Sequence, residues 1–195
     1  MMRKKPEILQ IKTLSSDEMS QQAFRIEELH LKFSNGVERY YRRMQGSGQG
    51  AVLVVPITDD NQVLLIREYS VGVDRYELQL PKGRVDLGEH FLAAANRELK
   101  EEIGFGAKQL DHINTLSVLP GFMGHQTHII IARGLYPERL EGDEPEELEV
   151  VPWPLTNIYE LSLQENCSEA RSIAALYMAR DWLMREPSVT TQSII

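Results

Sequence analysis

Glu98, Glu101 and Glu102 fall at i, i+3 and i+4, so on a helix they share one face. Like charges at that spacing repel, and near a helix C-terminus they also oppose the dipole. Their neighbours give little relief: Arg97 can pair with Glu101, while Lys100 points elsewhere. A hard divalent cation against the face would resolve the conflict. Mg²⁺ takes oxygen ligands and keeps waters and phosphate oxygens in its shell. For an isolated Glu-x-x-Glu-Glu the competing reading is a solvated acidic face. A second acidic group, Glu141, Asp143, Glu144, Glu146, Glu147 and Glu149, crowds into nine residues, with a solvated loop as its plain alternative.

These carboxylates need a frame. Phe91, Ala95, Leu99 and Ile103 form an apolar i, i+4 stripe, which predicts a helix over 89–103 burying one side and presenting carboxylates on the other. Gly104 ends it. The preceding loop, Pro81 to Gly88, bends at two glycines and can bring a backbone carbonyl towards the same cation. Upstream, Leu29, Leu31 and Phe33 alternate with polar residues, and Ser34-Asn35-Gly36 turns the chain into a second strand over 37–44. The run 51–57 reads as a buried strand, with 63–69 as its hairpin partner across Asp59-Asp60-Asn61. Further strands are expected over 76–80, 112–119, 128–135 and 150–153, and helices over 156–164 and 168–185. Ser168 is the expected cap of the last helix, with Ile173, Leu176, Tyr177, Arg180 and Met184 as its stripe. Strands on both sides of a central helix, with a helix at the end, give an α+β class.

The chain has 195 residues, enough for one medium domain with a core and a small extra arm. Its net charge of −8 disfavours nucleic acid and anionic membranes as partners. It would also repel a phosphorylated substrate unless cations mediate. The single cysteine, Cys167, allows no intramolecular disulfide and reads as inert, which fits a reducing compartment. No apolar run follows the basic Arg3-Lys4-Lys5, and none is long enough to span a bilayer. A cytoplasmic location is the expectation.

Gly83, five residues, Glu89, seven residues, then Arg97-Glu98-Leu99-x-Glu101-Glu102-x-Gly104-Phe105 is a full match to the Nudix box. The chain resembles the Nudix hydrolases in all of these positions. Pro120, sixteen residues after Gly104, resembles the marker of the ADP-ribose pyrophosphatase branch. Arg67-Glu-Tyr-Ser, Tyr76-Glu-Leu, 95–107 and 135–145 are similar to that branch's bacterial hydrolases of ADP compounds, over roughly residues 24–185.

The resemblance implies an α/β/α sandwich around a mixed sheet, with an N-terminal β-hairpin arm. Residues 1–45 would form the arm and exchange between two subunits of a homodimer, 46–187 the hydrolase domain, and 188–195 a mobile tail. It implies Glu98 and Glu102 as metal ligands, and Glu101 as a third ligand or a base. The Lys82 or Gly83 carbonyl would complete the shell, unless the Lys82 ammonium meets phosphate instead. Arg97 and Glu89 would orient the carboxylates. In the acidic loop Glu146, then Glu144, would activate water. Arg42, Arg43 and Arg67 are candidates to meet phosphate or base, against ordinary surface charge. Pro120 would lie at the substrate site, and Phe122 and Tyr69 would stack on a base or pack in the core. His125 and His128 lack partners at metal spacing and read as non-ligands.

The implied reaction is hydrolysis of the pyrophosphate bond in ADP-ribose, diadenosine di- or triphosphate, or NADH, releasing AMP. Two or three Mg²⁺ ions, or Mn²⁺, would serve as cofactor. The rival readings are a hydrolase of other nucleotide sugars or of RNA 5′ ends, and a non-catalytic nucleotide sensor.

Overall fold

The computed structural model describes residues 7–13, 24–46 and 49–185. At its centre lies β4 (Ala51–Pro56), whose six residues are all buried. A continuous apolar run of this kind belongs to a strand covered on both faces. The chain orders its strands as β1 (Glu7–Thr13), β2 (Phe24–Lys32), β3 (Glu38–Gly46), β4, β5 (Gln62–Ser70), β6 (Arg75–Gln79), β7 (Lys82–Arg84), β8 (Phe105–Ser117), β9 (Gln126–Pro137) and β10 (Glu149–Pro154). Helix α1 (Phe91–Glu102) joins β7 to β8, and α2 (Ile158–Ser162) and α3 (Ala170–Arg185) follow β10. The central sheet runs β7-β4-β9-β8. β4 is parallel to β9 and antiparallel to β7, so the sheet is mixed.

Strand alternation splits the core in two. Val52, Val54, Ile130 and Ala132 pack on Ala94, Ala95, Leu99 and Ile103 around α1. Leu53, Val55, Ile129 and Ile131 pack on Leu161, Ala175, Leu176 and Ala179 around α2 and α3. Each fully buried aliphatic chain contributes roughly 1.5–3 kcal/mol, so α1 is held firmly on one face of the sheet. This is the mixed α+β sandwich expected.

A second sheet, β10-β5-β6, flanks the first. Here the expected hairpin of 51–57 with 63–69 is corrected. β4 pairs with β7 and β9, whereas β5 pairs with β6 and β10, and only an isolated Ile57–Val63 bridge links the two segments. The chain changes sheet at Asp59–Asn61 because β4 is already flanked on both edges. Residues 82–84, read as loop, form β7. The cap of α3 is corrected as well: the Ser168 N–H and hydroxyl both donate to Glu77 Oε2 at 2.8 Å. Glu169 caps the helix instead, accepting from Ser172 N at 2.7 Å and Arg171 N at 3.3 Å. The buried side of α3 is Ser172, Ala175, Leu176 and Ala179, and Met184 is exposed.

β1-β2-β3 form a separate antiparallel sheet, the N-terminal arm. It meets the rest of the chain where Met44 N donates to Phe122 O at 2.6 Å and Gly124 N donates to Met44 O at 3.0 Å. Cys167 is buried, and burial pushes its thiol up to about 11, as suits an inert residue. No helix among the described residues is long and apolar enough to cross a membrane. The expected tail 188–195 lies outside the described residues.

Candidate active site

The position of the carboxylates follows from what α1 buries. His90 Nδ1 accepts the Leu92 N–H at its start. At its end Gly104 takes a φ of +74°, a left-handed turn that sends the chain into β8. With Ala95 and Leu99 against the sheet, Glu98 and Glu102 fall under β7. They are only 7% and 4% exposed. They lie on the side away from the apolar stripe, as expected, but covered by a strand, which goes against the competing reading of a solvated acidic face for these two. Gly83 makes the fit possible: a Cβ there would stand 1.9 Å from the Glu98 carboxyl carbon. Lys82 N donates to Glu102 Oε2 at 2.9 Å. β7 is thus a lid of backbone over two buried acids.

Arg97 organises the remaining groups. Its Nη1 donates to Glu98 Oε1 at 2.7 Å and to Glu101 Oε2 at 2.9 Å. Its Nε and Nη2 each donate to one oxygen of Glu89 at 3.1 Å, and Nη2 also reaches the Arg84 carbonyl at 3.0 Å. Glu89 in turn accepts the Asp86 N–H at 3.1 Å, which ties the loop to the helix. The planar guanidinium fork suits this multiple role, which a lysine would not fill. The Arg97 bonds hold the Glu89 carboxyl below its usual range.

Burial acts the other way on the two acids beneath β7. It pushes Glu98 up to about 7, with Arg97 opposing and the charges of Glu101 and Glu144 adding. It pushes Glu102 up to about 9, with Lys82 opposing and Glu98 and Glu68 adding. Strong shifts from burial plus like charge in a cleft mark a functional site. The donors are all oxygens, held near one another against their own repulsion, and Gly83 gives up its side-chain space to the Glu98 carboxylate. This chemistry fits a hard divalent cation. Glu98 and Glu101 are turned onto Arg97, and among the described residues no three His, Cys, Asp or Glu side chains close on one point.

The acids open into a cavity of about 640 Å³. Its lining includes Glu98, Glu101, Glu102 and Glu144 together with Lys82, Arg84, Arg97, Arg171 and His125. The Lys82 ammonium reaches Glu68 at 2.5 Å, and Gln79 Nε2 donates to the same oxygen. The acidic loop is moored to the end of α1, where Leu140 N donates to Lys100 O at 3.1 Å and Glu138 N to Gly104 O at 3.0 Å. That mooring places Glu144 on the cavity wall. Glu146 lines an adjoining groove instead, where its carboxylate accepts from Tyr76 Oη at 2.7 Å.

The other residues singled out in the sequence scatter. Arg67 pairs with Glu149 at 2.7 Å, Arg43 with Glu27 at 2.8 Å and Arg42 with Glu28 at 3.2 Å, and none of the three lines the cavity. Tyr69 donates to Asp74 and meets Tyr76 edge-on at 5.5 Å. Phe122 is exposed next to the arm. Pro120 lines a side chamber of about 250 Å³ that shares His125 with the main cavity. His128 stacks on Phe91 at 4.6 Å. Sequence reasoning missed Glu68, Gln79 and Arg171. The first two reach the site only through the β5–β6 pairing, and Arg171 stands off the apolar stripe of a helix distant in sequence.

A model of the NUDIX domain matches residues 48–175, and a model of the NudE-type Nudix hydrolase N-terminal domain matches residues 6–43. The chain is 46% identical over 179 residues to the ADP compounds hydrolase NudE of Escherichia coli (strain K12), covering 92% of this chain and 94% of that protein. It is 30% identical over 129 residues to the ADP-ribose pyrophosphatase of Bacillus subtilis (strain 168), covering 65% and 70%. Its fold matches a crystal structure of ADP compounds hydrolase with a TM-score of 0.84 and 45% identity, over 94% of this chain and 97% of the other.

Proposed function

We propose, from the premise that this chain belongs to the Nudix family and is a pyrophosphohydrolase, that it hydrolyses ADP-linked compounds and releases AMP. The supporting observation is the pair of buried acids, Glu98 and Glu102, held under β7 and lining a cavity large enough for a nucleotide diphosphate. ADP-ribose, diadenosine di- and triphosphate and NADH are the proposed substrates.

Glu98, Glu101 and Glu102, with a carbonyl of Lys82 or Gly83, would hold Mg²⁺ or Mn²⁺, two or three ions in all. Bound there, the ions neutralise the pyrophosphate and acidify a water. The chain's own groups do the rest. Arg97, itself fixed by Glu89 and Arg84, keeps Glu98 and Glu101 in register. The proton of the attacking water goes to Glu101 or to a loop carboxylate. Glu144 already stands on the cavity wall, whereas Glu146 would reach it only by leaving Tyr76. One phosphorus–oxygen bond forms to water and the bridging one breaks, giving AMP and the phosphorylated remainder. Lys82, whose ammonium bonds to Glu68, would meet phosphate oxygen by leaving or sharing that bond.

What supports a homodimer is the arm: Ile8, Leu9, Ile11, Tyr40 and Tyr41 are all exposed on its small sheet, and exposed apolar groups favour association.

The testing experiment is a substrate panel with Mg²⁺, with and without chelator, that reads AMP from ADP-ribose, diadenosine polyphosphates, NADH and nucleotide sugars. Chelator-sensitive AMP from several adenylated substrates is the expected result. Its absence from every adenylated substrate would move the function to nucleotide sugars without adenine, RNA ends or a sensor.

A further inference from the structure

Lys82 is held at both ends. Its backbone N–H donates to Glu102 Oε2 at 2.9 Å, which fixes the residue over a buried acid. Its ammonium pairs with Glu68 at 2.5 Å and, among the described residues, not with Glu102, although its charge still acts on that acid. A lysine is a point charge on a flexible four-carbon stem. Anchored beside a buried carboxylate, such a stem would let the cation fall onto it. Glu68 is the group that draws it off.

Glu68 is itself held. Gln79 Nε2 donates to the same Oε2 that takes the ammonium. On the β5–β6 ladder Glu68 stands opposite Glu77, and Gln79 opposite Ile66. Glu68 and Gln79 are therefore diagonal neighbours, a spacing that two long side chains can bridge. Glu77 is engaged elsewhere, by Arg75 and Ser168. Gln79 is buried and neutral, so it steadies Glu68 without adding charge to a cavity already lined by glutamates. The ammonium has three donors, of which one is spent on Glu68 and two remain.

We propose that Glu68 and Gln79 are positioning residues for Lys82. They keep its ammonium free to share a phosphate oxygen of the substrate, and out of the place beside Glu98 and Glu102 that a divalent cation needs. Released from Glu68, the ammonium becomes a competitor of the cation instead of a partner of the substrate. The proposal rests on the reading of Glu98 and Glu102 as metal ligands of a pyrophosphohydrolase.

The test is a double-mutant cycle on the full chain. Gln79→Met and Glu68→Asp are each made with Lys82 present and with Lys82→Met. Neither changes the net charge, so an altered affinity for a cation reports where the ammonium sits. Two quantities are read: Mn²⁺ affinity without substrate, by electron paramagnetic resonance, and KM and kcat for ADP-ribose at saturating Mg²⁺. With Lys82 present, each substitution should weaken Mn²⁺ by about threefold to tenfold and raise KM by a similar factor, with kcat within about twofold. With Lys82→Met, neither should change Mn²⁺ affinity or KM. A melt accompanies each variant, and Glu68→Asp, at a partly exposed position, carries the test if Gln79→Met fails to fold. Equal losses in both backgrounds would make Glu68 and Gln79 merely structural and overturn the proposal. Unchanged Mn²⁺ affinity and KM in the folded variants, or no Mn²⁺ binding by the wild type, would also overturn it. Lys82-dependent Mn²⁺ binding in a chain that releases no AMP from any ADP compound would leave the positioning role standing and sink the hydrolase reading.

Discussion

Glu102 has the Lys82 N–H as its backbone partner and almost no solvent, so its charge is costly in the metal-free protein. Both Glu102 and Glu98 have folded-state values above the usual 4.5, at about 9 and about 7. A group whose folded value is raised stabilises fully below its unfolded value and loses that contribution as pH climbs to the folded one. The metal-free chain should therefore lose melting temperature between pH 5 and pH 9. Glu102→Gln should flatten that decline, and Mg²⁺ at pH 8 should restore stability to the wild type by taking the proton's place. A wild-type melting temperature that stays level across the range, with Glu102→Gln indistinguishable from it, would contradict the burial account. The residue types and spacing of 98–102 were legible in the sequence. Their burial was not, because it depends on a three-residue strand, Lys82–Arg84, lying across the helix.

Strand β7 and helix α1 act as one unit, and Gly83 is the joint. A methyl group there would occupy the place of the Glu98 carboxylate. Gly83→Ala should displace that side chain, cost about 1–3 kcal/mol of stability through overpacking, and lower kcat by roughly 10–100-fold, as loss of a positioning contact does. Chemical denaturation and steady-state kinetics on the same preparation check both. Full activity in the alanine variant would show that Glu98 need not sit where Gly83 admits it. At this scale the sequence was a mixed guide. Helix α1 and its glycine stop were visible from the 3.6-residue period. The partners of β4 were not, since a buried apolar run does not say which strands flank it. Ser168 failed as a cap because its hydroxyl is engaged across the fold, donating to the buried Glu77 and accepting from Arg75 at 3.2 Å, which leaves the helix N–H groups to Glu169.

Across the whole molecule, a charge of −8 and a cavity lined by Glu98, Glu101, Glu102 and Glu144 would repel an anionic substrate, so the proposed cations are what reconcile the two. The arm bears on assembly. Its exposed apolar residues predict a dimer at micromolar concentration in analytical ultracentrifugation, and a chain lacking residues 1–45 should sediment as a monomer. A full-length monomer would remove the arm's proposed role. The hairpin of this arm was legible from alternation and the turn at Ser34-Asn35-Gly36. Its tether to the loop at Phe122 and Gly124 was not, because that contact is backbone to backbone. The most direct test of the central claim, that Glu98 and Glu102 carry a metal-dependent pyrophosphohydrolase, is AMP release from ADP-ribose by wild type, Glu98→Gln and Glu102→Gln at matched Mg²⁺. The account predicts that both variants fold, that each loses at least about a hundredfold in kcat, and that chelator abolishes the wild-type activity. Near-normal turnover in either folded variant, or wild-type activity that survives chelation, would contradict it.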